Sequence, residues 1–304
     1  MSELIRADNI SEAWVNAMEY LLAEEGTTSN LIIAIAPEGV GKEIKDARGI
    51  LDDFFERHKS KSIRSIRKVA DTIFPTDLYK NGPGAEARAR LYRQQQLASR
   101  VEKREGGDRY IDRLIEWPWP SNAQDTDQPG QLERLVLRLK KRYEAGYKTW
   151  NAYELGTAIP EEELEGEQDC VECGDLRIQD PARDRGEMGF PCLSHISITL
   201  CKGKLDMTAV YRNQHYVRKA YGNFVGLSDL LRFITVETGC AIGELVCVAT
   251  HADAEIGKVK GIGKAEVEGL VHECRESLYR QADSKLKRSR RLTWSPNQQI
   301  LTLT

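Results

Sequence analysis

Apolar positions along the chain fall into two periods. In "SEAWVNAMEYLLAEE" (11–25) the residues Trp14, Met18, Leu21 and Leu22 recur at helical spacing, with Ser11 as the expected cap. The same period predicts helices in "DARGILDDFFERH" and "SIRSIRKVADTIF", the second ending near Pro75. The clearest pattern is "PGQLERLVLRLKKRYEAG" (129–146), where Leu132, Leu135, Val136 and Leu139 form a stripe and Gly146 a stop. Strand-like runs are "NLIIAIA" (30–36), "HISITL" and "LDMTAVYR" flanking a "CKGK" turn, and "ELVCVAT" (244–250). Further helices are expected over about 225–238 and 264–281. Between 151 and 190 no period is sustained, so connecting material is expected there. Strands and helices mix without regular βαβ alternation, which predicts an α+β fold: a mixed sheet with surrounding helices. The expectation is a single domain over 1–304, with a charged helical insert at about 84–108 and a basic tail at about 284–304.

Composition narrows the function classes. The 304 residues are 40% apolar and 30% charged with a formal net charge of -3, so no global field draws the protein to nucleic acid or membrane. No apolar run approaches the ~18 residues of a membrane span, and "MSELIRADNI" lacks a secretion pattern, so a cytoplasmic chain is expected. Seven cysteines, an odd number, argue for reduced thiols over a disulfide framework.

Four motifs carry candidate chemistry. "APEGVGKE" (36–43) resembles a phosphate loop but has Ala36 for the first glycine and Glu43 where a magnesium-binding hydroxyl belongs; a plain turn is the better reading. "KGIGKAEVEGL" (260–270) has the look of a DNA-binding helix-hairpin-helix turn, with a glycine turn entering a helix as the simpler alternative. The pairs Cys170–Cys173 and Cys192–His195 have the spacing of tetrahedral zinc ligands, although no metal site is expected to prevail over the other uses of Cys192. The fourth is "GFPCLSHISITL" (189–200). A nucleophilic cysteine needs positive charge nearby, and Arg212 arrives twenty residues later across the expected hairpin.

Pro191-Cys192, a strand pair ending in Arg212, Asn223 before a helix and Thr250-His251 after a strand: this order resembles the thymidylate synthases and related pyrimidine nucleotide hydroxymethylases. Tyr110 and Trp117 repeat a Tyr-x6-Trp pattern of that family, and "AWVNAMEYLLAEEG" and "IRSIRKVADTIF" look like its first two helices. The resemblance implies the thymidylate-synthase fold, a homodimer, a pyrimidine nucleotide as substrate, and 5,10-methylenetetrahydrofolate as one-carbon donor. It gives Cys192 the role of nucleophile at C6 of the ring, with Tyr110 beside it in the catalytic set. Arg212 and Asn213 would hold the nucleotide phosphate, Asn223 would read a uracil-type base, and His251 would meet the ribose, with Asp253 two residues on where the family has a tyrosine.

Departures from the family pattern bear on the chemistry. Leu193 follows the cysteine where the family has histidine, and Glu172 and Cys173 occupy the positions of its paired arginines, with Arg177, Arg183 or Arg185 as substitutes. Val69 or a neighbour stands for its water-ordering glutamate and His215 for an aspartate. The expected function is therefore a divergent pyrimidine C5-transferase of the methyl- or hydroxymethyl-transfer kind. The alternative is a nucleotide- or partner-binding protein on the same fold without the synthase reaction.

Overall fold

The computed structural model describes residues 2–59, 63–76, 110–111, 114, 131–144, 152–156, 192–258 and 262–293. A seven-stranded mixed sheet is the frame among these residues, with helices packed on one face. Strands β1 (Glu3–Ala7) and β2 (Thr27–Ile35) lie parallel, and β2 pairs antiparallel with β7 (Ala241–Asp253). Next to β7 runs β5 (Lys204–Tyr211) in parallel, followed by β4 (Leu193–Cys201) and β3 (Ala152–Gly156), each antiparallel to its neighbour. The short β6 (Gln214–His215) adds to β7 past the end of β5.

The helices follow the sequence periods, with local corrections. Helix α1 (Ile10–Ala23) buries Trp14, Met18 and Leu21, and α2 (Lys45–Arg57) buries Leu51, Phe54 and Phe55. Ser11 does not cap α1. Asn9 does, its side chain accepting from the Glu12 N–H at 3.0 Å while Glu12 accepts from the Asp8 N–H at 3.0 Å. The Ser11 hydroxyl is buried instead, 2.9 Å from Tyr221 Oη and accepting from the Ile44 N–H at 2.8 Å. The helix expected over "SIRSIRKVADTIF" shortens to α3 (Ile66–Ala70), because Ser65 caps it and resets the start. Helix α4 (Gln131–Glu144) buries the whole expected stripe Leu132, Leu135, Val136 and Leu139.

One π-helical turn, Tyr216–Ala220, leads into α5 (Tyr221–Thr238), a central helix buried on nearly every side. Gly222 and Gly226 let α5 approach α3. A Cβ at Gly222 would stand 2.6 Å from Val69 Cβ, and one at Gly226 would stand 2.7 Å from the Ala70 carbonyl. The last helix, α6 (Lys264–Thr293), packs on α1 and α2 and buries Val267, Leu270, Val271 and Cys274.

The other sheet face is only half covered. Register places His195, Val210, Val248 and Ile32 in one row across β4, β5, β7 and β2, and Ser197, Thr208 and Val246 in the next. All seven are half-buried. Strands β1 and β6 have no expectation behind them in the sequence, and β3 lies where connecting material was expected: each is at most five residues long and too short to show a period.

Candidate active site around Cys192

The site lies where β4 begins and β5 ends. The Arg212 N–H donates to the Cys192 carbonyl at 2.9 Å, so cysteine and arginine are neighbours across the ladder. A bulge then breaks the register: Leu193 faces Tyr211, but His195 already faces Val210. Ser194 is the extra residue, its hydroxyl donating to the Val210 carbonyl at 2.9 Å. Bulges re-aim side chains at strand ends, and this one turns Leu193 into the core directly after the cysteine. Cys192 itself is half-buried, packed against the rim of the core.

The Tyr110 hydroxyl accepts from the Leu193 N–H at 3.3 Å. Burial, with the neighbouring Cys192 thiol second, pushes its phenol up to about 12. It therefore stays protonated near neutrality and can donate a hydrogen bond. Burial also raises the Cys192 thiol, while the Arg212 and Lys219 cations oppose that rise. Desolvation disfavours the thiolate, and the two positive side chains give part of that cost back.

Beyond β5 the chain supplies the rest. Asn213 is half-buried and its Oδ1 is a buried acceptor with no hydrogen-bond partner among the described residues. Asn223 is 5% exposed on the first turn of α5, next to Gly222, which meets Val69 of α3. A buried amide oxygen without a partner, as at Asn213, has an open acceptor valence for a ligand. Trp14 steadies the π-helical turn from behind, donating from Nε1 to the Tyr216 carbonyl at 2.9 Å.

A buried acid network closes the rear. Glu255, 1% exposed, accepts from both the backbone N–H and Nε of Arg218, and His215 Nδ1 lies 3.3 Å from the same carboxylate. Asp253 accepts from the Glu255 N–H and from Lys258 Nζ, both at 2.7 Å. Its carboxylate, expected to serve a substrate, thus holds the turn after β7 together. Burial pushes Asp253 up, but the hydrogen bonds from Lys258 and the Glu255 N–H outweigh it, and the net shift is downward.

Other expected residues fall as follows. His251 is exposed on β7, opposite Ser29 of β2 and one residue past Thr250, whose hydroxyl donates to the Arg212 carbonyl at 2.7 Å. It stands at the same sheet end as Cys192 and Arg212, on the outer rim. Val69, where the resemblance expects a glutamate, is 2% exposed and packs against Gly222. The Cys170–Cys173 pair, Trp117, and the candidate arginines 177, 183 and 185 lie outside the described residues, as do the segments 84–108 and 294–304. Among the described residues no group of three or more His, Cys, Asp or Glu could hold a metal ion.

The turn at 36–43 is plain: Pro37–Gly39 forms one short helical turn, Gly39 packs on the Asp8 carbonyl, and Glu43 pairs with Arg48 at 2.7 Å. At the start of α6 the Gly263 N–H donates to Glu266 at 2.7 Å, a capped helix entrance of the simpler kind.

Four residues of this region carried no expectation: Arg64, Arg218, Lys219 and Glu255. "VRKAY" announces its cations plainly, but without the π-helical turn nothing in the sequence says which of them turns inward. No helix among the described residues is long and apolar enough to cross a membrane. Searched against models of known protein families, the chain matches none, and no curated protein matches its sequence.

Proposed function

We propose that this protein is a divergent pyrimidine nucleotide C5-transferase with a thymidylate-synthase-type fold, acting through Cys192. The observation that carries the reading is the meeting of a half-buried thiol with the Arg212 and Lys219 cations at one sheet end. Asn213, which follows Arg212, has a buried amide oxygen without a partner among the described residues, and Asn223 is buried on the first turn of α5.

Chemically, the Cys192 sulfur adds to C6 of a uracil-type ring, forming an S–C6 bond and moving the electron pair of the C5–C6 double bond toward C5 and the O4 carbonyl. C5 then attacks the methylene carbon of the one-carbon donor. Loss of the C5 proton and breaking of the bond from that carbon to the folate nitrogen release tetrahydrofolate and leave an exocyclic methylene. That methylene takes up water to give a hydroxymethyl product, or a hydride from tetrahydrofolate, oxidised to dihydrofolate, to give a methyl product. Breaking of the S–C6 bond restores the ring. Arg212 and Asn213 receive the nucleotide phosphate, and Asn223 donates to O4 and accepts from N3–H. Tyr110 is placed to donate a hydrogen bond near the reacting sulfur. By the resemblance the one-carbon donor is 5,10-methylenetetrahydrofolate, a substrate to which no described residue is assigned. The half-covered sheet face carrying Val210, Val248, Ile32 and Val246 supports a homodimer, in which a second copy covers those rows.

Release of tritium from C5-labelled deoxyuridine monophosphate, supplied with the folate donor, tests the reading. Wild-type protein is expected to release label and Cys192→Ala to release none; absence of both release and nucleotide binding overturns the proposal. A second reading, a nucleotide-binding protein without turnover, is favoured by Val69, a buried hydrocarbon side chain at the position where the resemblance expects a water-ordering glutamate. Calorimetric binding without label release would select it.

A further inference from the structure

Helix α6 leaves the body of the protein half-way along. Leu278 is buried, but none of residues 279–284 is, and only Gln281 among them is even half-buried. Tyr279 is 61% exposed, one turn past Arg275, which pairs with Glu19 of α1. The backbone stays helical to Thr293. At ~1.5 Å per residue, residues 279–293 make about 22 Å of helix.

Positive charge is concentrated on this stretch. It holds Arg280, Lys285, Lys287, Arg288, Arg290 and Arg291 against the single acid Asp283, in a chain whose formal net charge is -3. From Ser284 to Thr304 the sequence contains no Asp or Glu. Lys287 and Arg291 are four apart, and Lys285–Arg288, Lys287–Arg290 and Arg288–Arg291 three apart, spacings at which like charges on a helix repel. A helix C-terminus favours cations, but only over its last turn. A polyanion laid against the helix removes the remaining repulsion.

Two features choose among polyanions. Within the helix from Lys285 on, the only apolar residues are Leu286 and Leu292, six apart. The apolar stripe by which a helix lies in a membrane surface is therefore missing. A single helix, about 10–12 Å across, fits the ~12 Å major groove of B-form DNA, whose walls carry phosphates. The deep, narrow major groove of A-form RNA does not admit it.

We infer that the C-terminal half of α6 binds duplex DNA, entering the major groove and neutralising backbone phosphates with its lysines and arginines. Phosphate contacts carry no sequence information, so the binding is nonspecific. Nothing in it requires Cys192 or a nucleotide beside that thiol.

The test is fluorescence anisotropy of a labelled duplex of ~20 base pairs, titrated with the full chain between about 50 and 200 mM salt. A Kd of about 1–100 μM is expected at ~150 mM salt, with log affinity falling against log salt at a slope of roughly -4.5 if five cations meet phosphates. The combined variant Lys285→Gln, Lys287→Gln, Arg288→Gln, Arg290→Gln and Arg291→Gln keeps helix propensity and is expected to bind at least ~100-fold more weakly. The double variant Lys285→Gln, Lys287→Gln, used if circular dichroism shows the larger one unfolded, is expected to flatten the slope by about two. No binding by wild type, or equal binding by the variants, overturns the inference. So does an RNA duplex or a phosphatidylserine vesicle bound as tightly as the DNA. Binding that emerges only after the acidic run at 161–169 is neutralised would assign the helix to that run and overturn it too. Loss of tritium release with DNA binding intact would instead strike the nucleotide reading and leave this one standing.

Discussion

Two thiols on neighbouring parts of one sheet have opposite surroundings. Cys192 sits half-buried at a strand end, with Arg212 and Lys219 working against the rise that burial imposes on it. Cys247, in the middle of β7, is 2% exposed and lies 3.7 Å from the Gln214 carboxamide. Burial pushes its thiol up to about 12, and the Gln214 hydrogen bond recovers little. Burial is common to both sulfurs; cations are not. Reactivity is set by what accompanies desolvation, and an amide dipole is a weaker companion than a full positive charge.

Alkylation kinetics on the native protein break or sharpen that contrast most strongly. Cys192 is expected to react faster than Cys247 near pH 8, because it is half-buried with two cations opposing the rise that burial imposes, whereas Cys247 is almost fully buried and pushed up to about 12. Mass spectrometry of the modified peptides reads the ratio, and comparable rates at the two cysteines would erase the distinction.

The cationic side depends on the acid network behind it. Glu255→Ala leaves the Arg218 guanidinium, with a quarter of its side chain exposed, facing an emptied buried site. A loss of at least about 2 kcal/mol is expected in urea unfolding, less than for a fully buried pair because water reaches the arginine. Glu255→Gln keeps the shape and is expected to lose less. Equal stability of Glu255→Ala and wild type would show that the network does not hold the turn.

The smallest effect concerns the acid limb. Asp253 titrates below its ordinary range in the folded chain, so its contribution is present at pH values above that of the unfolded carboxyl and is lost as pH falls through the folded value. Lys258→Met is expected to lower Tm by about 1–2 °C at pH 7. The difference is expected to vanish well below the ordinary value of 3.8. A constant difference from pH 7 to pH 2 would assign the effect of Lys258 to packing.

The sequence makes long amphipathic elements readable and short ones not. The stripe Leu132–Leu135–Val136–Leu139 and the two-residue turn between β4 and β5 follow directly from period and from Lys202-Gly203, both at positive φ. Strand β6 has two residues and β3 five, and their pairing is decided by partners far along the chain. At the site, the pairing of Cys192 with Arg212 is readable because the two flank a hairpin whose turn the sequence announces. The ion pair of Asp253 with Lys258 was not readable, because the sequence does not show Lys258 folding back onto it. Lys219 and Glu255 were hidden for a related reason. Which member of "VRKA" turns inward depends on the winding of one turn, and a buried glutamate in "HADAEIG" is indistinguishable from a surface one without its Arg218 partner.

The most direct measurement of the central claim leaves out the one-carbon donor altogether. Addition of a thiolate at C6 makes C5 basic, so a uracil nucleotide held at Cys192 should exchange its C5 hydrogen with solvent. Proton NMR of deoxyuridine monophosphate in D2O is expected to show the H5 signal fading with wild-type protein and persisting with Cys192→Ala. An H5 signal that persists with wild-type protein while the nucleotide is demonstrably bound would contradict nucleophilic attack by Cys192.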